Sequence, residues 1–597
     1  MSTTEDQIAS IMMRLNELER RLDFARESPV RPLNASMPSP ADTAAARSLL
    51  VPAAQGSFRA LDSLIDELNS PMGDTAIYNE RHETEYDVMS SLSLRRDLSK
   101  PENPPFGLWW TYTVEEALLW PILGFQGDVN HSLDILLLDN TSDTNSGSDG
   151  GGHAIRQNSL GAEAATDPLR DIVLSDRRGL DDGTVVPKLI QSFLENVHSR
   201  APCLEASSLR GEAFDVIEHG IGWESSSCKV LLACALGAIS SSWSPTAIHD
   251  YSAPQSSHSR LAIAQEYFSA GEKRLGPLYA SSSLDAAQCL FLSGLYHMYM
   301  LKPLAGWRLF NAASIACRAE VACEFGMETN GINVIASLTS LPTPPSGHDA
   351  AQSGESHHAN SEEMQDEKSW YFFLTHIMLR KLEMRLDTYT QAKRREAYRR
   401  AGESPEAFYR SLYEANAEFD YQLTCYYESL PPVMQFSMDD LTPCADELRQ
   451  YLRWRVFSIR HDICEPAFYA LLHYNMSSWP RSLIDGLISQ ANTMLRLDVA
   501  FMWAAGSTHR DANTWLALRK GVRAGLCLVA ARRLKAQGRQ ELAALQVPDK
   551  EACRQAASSL VRGLRYWASE SRDCASNLEL LQSLRADFQD RGTGSDF

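Results

Sequence analysis

The sequence predicts an all-α protein, with a large irregular helical domain preceded by a short coiled-coil helix and disordered linkers. Between about Pro187 and Ala586, apolar residues recur at steps of three and four, which is the spacing of one helix face. Alternating apolar and polar runs, which are typical of half-buried strands, are scarce in the same region. The helical segments follow no fixed repeat period, so the sequence does not predict a regular solenoid.

Composition and charge narrow the classes of protein to which the chain can belong. It has 597 residues, of which 44% are hydrophobic, enough for a large buried core. The formal net charge of -20 argues against broad contact with nucleic-acid phosphates. No apolar run follows Met1, and the longest one, Val230 to Ile239, is about half as long as a bilayer-spanning helix. We therefore expect a soluble chain without a signal peptide or a membrane segment.

Residues 1–26 are predicted to form a short coiled-coil helix through which the chain dimerises. Apolar residues alternate there at steps of three and four, the a and d positions of a heptad repeat. The predicted dimerisation seam consists of Ile8, Ile11, Leu15, Leu18 and Leu22. An isolated helix of this length is marginally stable in water, so it either pairs or frays. The expected result is a homodimer, or a heterodimer with a related chain.

Residues 27–105 are rich in Ser, Pro, Ala and Asp and are predicted to be a disordered linker. Within this linker, residues 60–70 present a face of leucine and isoleucine between acidic residues. That mixture is typical of an activation helix that binds a partner. A helix that docks on the protein's own body is an equal alternative.

The helical body is predicted to begin within residues 106–138. Thr113 precedes two glutamates, a pattern that favours a helix start, and Pro121 predicts a break shortly afterwards. The rest of the chain divides by composition into a low-complexity loop, the main helical domain with a disordered insertion, and a flexible tail. These segments are residues 139–182, residues 183–586 with the insertion at 342–366, and residues 587–597.

The apolar run Val230 to Ile239, which follows the turn GIGW, predicts a buried central helix. Ser225 to Ser227 are expected to cap its start, and Trp223 is expected to anchor the turn by packing. Small residues within the run should let neighbouring helices approach closely.

Signatures of common enzymes are absent from the sequence. It contains no P-loop, no G-x-S-x-G or H-E-x-x-H motif, and no G-x-G-x-x-G at a strand-to-helix junction. Asp439 and Asp440 resemble the start of a magnesium-binding cluster, but Pro443 stands where the third carboxylate should be. We expect the two aspartates to start or cap a helix instead. The sequence assigns no catalytic, cofactor-binding or metal-binding residue.

The twelve cysteines are dispersed from Cys203 to Cys574 and form no C-x-x-C pair. Such a distribution indicates neither a zinc site nor a redox dithiol. We expect buried free thiols, because cysteine is among the most buried residue types.

Several stretches, in this order, resemble the regulatory middle homology region of fungal transcription factors of the zinc binuclear cluster (Zn(2)-Cys(6)) class. No single stretch is specific, and the resemblance depends on their order and spacing over more than half of the chain. They are TVEEALLWPIL (113–123), LIQSFLENVHSRAPCLEASSLR (189–210), GIGWESSSCKVLLACALGAIS (220–240), KPLAGWRLFNAASIACR (302–318), YYESLPPVMQFS (426–437) and CEPAFYALLHY (464–474).

The resemblance implies a nuclear regulator of RNA polymerase II genes that contacts the transcription machinery and is not an enzyme. Members of the family bind two zinc ions through a six-cysteine cluster at the N-terminus. The first cysteine here is Cys203, so we expect no cofactor in the chain as given. DNA contact would then require a zinc cluster in the full-length protein or in a partner. The resemblance also suggests control by a small effector bound between helices.

Two alternatives remain open from the sequence. One is a transcriptional cofactor that heterodimerises with a complete zinc-cluster regulator. The other is a helical biosynthetic enzyme acting on a hydrophobic substrate, which requires convergent carboxylates or a histidine–acid pair lining a buried pocket. Aromatic residues that serve only as packing, with no titratable cluster nearby, would argue against the enzyme. The residues in question are Trp223, Trp307, Tyr426, Tyr427 and Phe468.

Overall fold

The computed structural model describes residues 113–127, 135, 179–244, 254–281, 283–325, 359–399, 404–441 and 443–584. Within these ranges the regular structure is helical and no strand occurs, which confirms the predicted all-α class. Three predicted segments lie outside the described residues: the coiled-coil helix with its dimerisation seam, the linker with its activation helix, and the tail. These segments are residues 1–26, 27–105 and 587–597.

The α-helices are numbered in chain order. They are α1 Val114–Leu118, α2 Val186–Phe193, α3 Ala206–His219, α4 Ser225–Ile239, α5 Pro254–Leu278, α6 Leu284–Tyr299, α7 Pro303–Phe325, α8 Ala359–Arg399, α9 Pro405–Glu428, α10 Glu447–His473, α11 Arg481–Ala504, α12 Thr514–Ala536, α13 Lys550–Trp567 and α14 Arg572–Ser583. None of these described helices combines the length and the apolar character needed to cross a bilayer.

Two hydrophobic cores organise the described helices. The first core is built from α2 to α7 and surrounds α4, in which 13 of 15 residues are buried. The second core is built from α1 and from α8 to α14. The helix α1 belongs to the second core although it precedes the first in the chain, so the chain begins and ends its described part in the same core.

The burial of α4 confirms the central helix predicted from the apolar run. Gly237 shows why small residues are needed there, since a Cβ at this position would lie 2.0 Å from the carbonyl oxygen of Leu189 on α2. The close approach also lets the Ser192 hydroxyl donate to the Gly237 carbonyl at 2.8 Å. The helix pair α2–α4 therefore packs backbone against backbone.

Two expectations about the start of α4 are wrong. The N-cap is Glu224, and Ser227 instead accepts a hydrogen bond from the Gly222 amide at 3.0 Å and donates to the Glu224 carboxylate. Trp223 is 71% exposed and does not anchor the turn by packing. Its ring lies 4.9 Å from the guanidinium of Arg274, which donates to the Gly222 carbonyl. A cation–π contact at the surface thus replaces the expected burial.

The start of the body agrees with the sequence prediction. The Thr113 hydroxyl accepts from the amide of Glu116 at 3.2 Å, so Thr113 caps α1. The helix ends at Leu118, and a 3₁₀ turn at Pro121–Leu123 follows, as expected of the proline.

The predicted insertion at 342–366 is too long at its C-terminal end. Helix α8 begins at Ala359, so the last part of the segment is helical. The polar composition of residues 359–366 misled the prediction, because these residues extend the more apolar helix that follows. Residues 342–358, like most of the predicted low-complexity loop at 139–182, lie outside the described residues.

Candidate ligand cavity at the junction of the two cores

A cavity of about 330 Å³ opens between the N-terminal part of α10 and the C-terminal part of α11. Trp454 and Phe457 on α10 face Val499 and Trp503 on α11 across it. Bulky aromatic side chains at the contact between the two helices leave space that no side chain fills. The cavity has the size and the apolar walls of a small-molecule site.

The segment MDDLTPCADE forms one wall of this cavity rather than a magnesium site or a helix start. Helix α10 is capped by Asp446, whose carboxylate accepts from the Arg449 amide at 3.0 Å, so the expectation that Asp439 and Asp440 cap a helix is wrong. Both aspartate amides donate to the Ser437 hydroxyl, at 3.3 and 3.0 Å. The proline of the segment keeps it out of the helix. Leu441 and Pro443 line the cavity.

Arg453 brings a positive charge to the otherwise apolar wall. Its side chain is 4% exposed and donates to the Asp440 carbonyl and to the Gln450 Oε1 atom, both at 2.8 Å. Burial lowers the pKa of Arg453, and the opposing effects of Cys444 and Asp440 do not compensate. Arg453 was not among the residues singled out from the sequence. The local sequence LRWRVF (452–457) does not distinguish it from Arg455, which pairs with Glu383 on α8 instead.

A smaller cavity of about 90 Å³ adjoins the first. Gln450, Trp454 and Ala504 line both, so the two cavities share a wall. The remaining lining mixes apolar and polar side chains and includes four charged or histidine side chains. They are Arg200, Glu447, His509 and Asp511.

Arg200 ties the two cores together at this smaller cavity. From the end of the π-helical turn that continues α2, its guanidinium reaches Asp511 at 3.1 Å and Glu447 at 3.2 Å in the second core. It also donates to the Tyr299 hydroxyl at 2.7 Å in the first core. Burial opposes the charge, but Tyr299, Glu447 and Asp511 outweigh it and raise the pKa of Arg200. The residue therefore carries its charge into the junction.

Two further hydrogen bonds cross the junction close to Arg200. Arg510 donates to the Tyr299 carbonyl at 2.8 Å, and the indole of Trp243 donates to the Cys444 carbonyl at 3.0 Å. These contacts are polar and specific in direction. Together with Arg200, these oriented groups help to fix the relative placement of the described parts of the two cores.

His509 and Glu447 form a histidine–acid pair in the wall of the smaller cavity. The His509 Nε2 atom lies 2.8 Å from Glu447 Oε1. Burial would raise the pKa of Glu447, but Arg200 and His509 together lower it. The enzyme alternative requires a histidine–acid pair that lines a pocket, and His509 and Glu447 form such a pair. Neither residue was predicted from the sequence.

The aromatic residues named for the enzyme alternative have mixed surroundings. Tyr426 and Phe468 are buried, and the Tyr426 hydroxyl donates to the Thr375 carbonyl at 3.0 Å, as packing residues do. Tyr427 is partly buried and donates to a backbone carbonyl. Trp223 and Trp307 are 71% and 63% exposed, so they are not core packing. These residues do not line the two cavities.

Two groups of acidic and histidine side chains have ligand atoms close enough to hold a metal, but built-in cations already neutralise them. In the group Glu447, His509 and Asp511, the Arg200 guanidinium contacts both carboxylates. The second group consists of His461, Asp462 and Glu465. There, Lys520 Nζ lies 2.7 Å from Asp462, and Arg523 bonds Glu465. A divalent ion would face a fixed positive charge at either place, so these groups are ion-pair networks.

The described cysteines do not fit a zinc cluster. Seven of them are buried, as expected for free thiols, and no three come within ligand distance of one another among the described residues. A six-cysteine zinc cluster requires several thiolates within ligand distance of one another. Burial raises the pKa of Cys203 and Cys574 to about 12, which keeps both thiols protonated.

Comparison with known proteins adds no relative. A scan against protein-family models gives no match, and neither the curated proteins nor the solved structures contain one.

Proposed function

We propose that the chain is the regulatory and dimerisation part of a fungal transcription factor of the zinc binuclear cluster class, acting in the nucleus on RNA polymerase II genes. The observation that carries the proposal is the position of Arg200. It belongs to one stretch that resembles the family's regulatory region, and it joins the two cores beside a ligand-sized cavity. An effector bound there can alter the relation between the cores, which is what a regulatory body requires.

Other stretches of the resemblance supply buried polar groups of the second core. Glu115 comes from TVEEALLWPIL and pairs with Arg519 on α12 at 2.5 Å. Glu465 comes from CEPAFYALLHY and pairs with Arg523 on the same helix. Buried ion pairs are weak sources of stability but fix one arrangement of helices. In the proposal, they keep the second core rigid, so that movement is confined to the junction.

The proposal assigns the remaining tasks to segments outside the described residues. Dimerisation uses residues 1–26, predicted from the sequence to be a coiled-coil helix, and contact with the transcription machinery uses residues 60–70, predicted to be an acidic helix. DNA contact comes from a zinc cluster in the full-length protein or in a partner, in agreement with the acidic net charge.

A transcription reporter tests the proposal. The full chain is fused to a heterologous DNA-binding domain that forms its own dimers, and reporter output is measured in a fungal host. We expect output to differ from that of the DNA-binding domain alone, and Arg200→Ala to change it further at equal protein level. The matched control is Arg554→Ala, at an exposed pair on α13. Output equal to that of the DNA-binding domain alone would contradict the proposal.

The same reporter separates the two alternatives. A cofactor that heterodimerises with a complete regulator would lose its effect when residues 1–26 are deleted from the fusion, whereas the proposed factor would not.

The enzyme alternative is favoured by the His509–Glu447 pair, which lies beside an apolar cavity suited to a hydrophobic substrate. An enzyme would leave the reporter unchanged. Against this alternative, the same Glu447 oxygen already contacts Arg200.

A further inference from the structure

The larger cavity combines apolar walls with one buried, oriented cation. We propose that it binds a small amphipathic anion, namely an apolar body of aromatic or aliphatic character that carries one carboxylate or sulfonate, with the anionic group at Arg453. This inference rests on the proposed effector control and names the chemical class of the effector.

The apolar part of the ligand is specified by the walls. Trp454 and Phe457 supply ring surface from α10, and Val499 and Trp503 supply apolar surface from α11. The volume of about 330 Å³ falls in the range of about 300–1,000 Å³ found for small-molecule sites. Aromatic walls of this kind favour a flat ring system or an alkyl chain over a sugar or a nucleotide, whose hydroxyl groups would lose their water without finding partners.

The polar part of the ligand is specified by Arg453. Its guanidinium is held in one orientation by the Asp440 carbonyl and the Gln450 side chain. Because burial disfavours its charged form, an anion that enters the cavity gains more from Arg453 than it would from an exposed arginine. A carboxylate or sulfonate presents several acceptor oxygens to the planar guanidinium.

Occupancy of the cavity would be transmitted to the junction through shared residues. Gln450 accepts from Arg453 and from the Cys444 amide at 2.9 Å, and the Cys444 carbonyl accepts from Trp243, which follows α4 of the first core in the chain. A ligand that pulls on Arg453 therefore acts on a bond that crosses between the cores.

Paired fluorescent probes test the proposed ligand class on the full chain. The anionic probe is 8-anilinonaphthalene-1-sulfonate, and the neutral probe is N-phenyl-1-naphthylamine, which shares its ring system but lacks the sulfonate. We expect saturable binding of one sulfonate probe per chain, at least about tenfold tighter than the neutral probe. Ala504→Trp, which fills the wall shared by the two cavities, should abolish binding of both probes. The matched control is Ala417→Trp, at an exposed position of α9.

Variants of Arg453 isolate the role of its charge. Arg453→Met should weaken the sulfonate probe by about tenfold or more and the neutral probe by less than threefold, while Arg453→Lys should restore part of the preference. If Arg453→Met does not fold, as judged by circular dichroism, the test uses Arg453→Lys and the wild-type chain instead. The quantity compared is then the ratio of the affinities for the sulfonate and the neutral probe. Equal affinity for the two probes in the wild-type chain, or binding that survives Ala504→Trp, would overturn the assignment.

The probe titration tests the anion site and the reporter tests the regulatory function, so a negative result in one experiment does not imply a negative result in the other. Preferential binding of the sulfonate probe without a reporter effect would support the anion site and contradict the proposed regulatory function. A reporter effect in a chain that shows no preference for the sulfonate probe would support the regulatory function and contradict the anion site.

Discussion

Arg519 on α12 holds the carboxylate of Glu115 with two hydrogen bonds of 2.5 and 2.6 Å, across 404 positions of sequence. The same guanidinium lies 2.9 Å from Asp573 on α14. Both carboxylate side chains are almost fully buried, at 2% and 1% exposure. One arginine thus joins the first and the last described helices of the second core.

Removal of Arg519 should strongly destabilise the second core. Arg519→Met leaves two buried carboxylates without their main counter-charge, and breaking a buried pair in this way costs about 3–5 kcal/mol. Urea unfolding followed by circular dichroism measures the loss. Arg554→Met, at the exposed pair with Glu551, should leave the unfolding midpoint nearly unchanged, because exposed pairs contribute little. Equal unfolding midpoints for the two variants would show that Arg519 does not hold the core together.

Gly237→Ala should destabilise the first core. The added methyl group would meet the Leu189 carbonyl oxygen at 2.0 Å, and neither backbone can move without separating α2 from α4. We expect a loss of about 1–3 kcal/mol, the usual cost of overpacking, measured by thermal unfolding. Gly211→Ala is the matched control, because Gly211 lies in α3 with nothing within 4 Å of its added methyl group. That variant should gain up to about 1 kcal/mol from helix propensity, and destabilisation of both variants alike would refute the packing argument.

His473 should make the second core sensitive to mild acid. Its ring stacks on Tyr469 at 4.0 Å and meets the Trp120 ring edge-on, and burial lowers its pKa to about 4. Because the folded pKa lies below that of the unfolded chain, the stabilising contribution is complete above about pH 6.5. It is lost as the pH falls toward 4, by about 3 kcal/mol.

His473→Phe should remove that part of the acid sensitivity, because phenylalanine fits the aromatic stack and does not titrate. Unfolding free energies measured at several values between pH 7 and pH 4 show the slope for each variant. His219→Phe, at the exposed end of α3, serves as control and should keep the wild-type slope. An unchanged slope in His473→Phe would assign the acid sensitivity to other groups.

Local signals in the sequence predicted the elements, whereas the junction depends on contacts that no local signal reports. The cap at Thr113 and the burial of α4 follow from residues within one helix turn of each other or from one uninterrupted run. The pairing of Arg200 with Glu447 joins residues on separate cores, and nothing near either residue in the sequence specifies its partner. Trp223 was misjudged because the prediction considered the apolar ring without the cation that covers it.

The cavity could not be predicted either, since a void is the outcome of how whole helices pack. The residues that frame it, Trp454 and Trp503, lie in the long helices α10 and α11, and nothing in the local sequence indicates that they face a void. The carboxylates of Asp439 and Asp440 suggested a magnesium cluster or a helix cap. The contribution of this segment to the site comes instead from the apolar residues that follow them.

Arg200→Met should uncouple the two cores. The variant loses the ion pairs with Glu447 and Asp511 and the hydrogen bond to Tyr299, while each core keeps its own packing. We expect differential scanning calorimetry to resolve two transitions where the wild-type chain unfolds more cooperatively, because the two ion pairs that link the cores are gone. Arg200→Lys keeps the charge but cannot bridge two carboxylates and a hydroxyl in one plane, so its behaviour should be intermediate. A single transition at the wild-type temperature in Arg200→Met would show that other contacts hold the cores together. That result would contradict the regulatory role assigned to the junction.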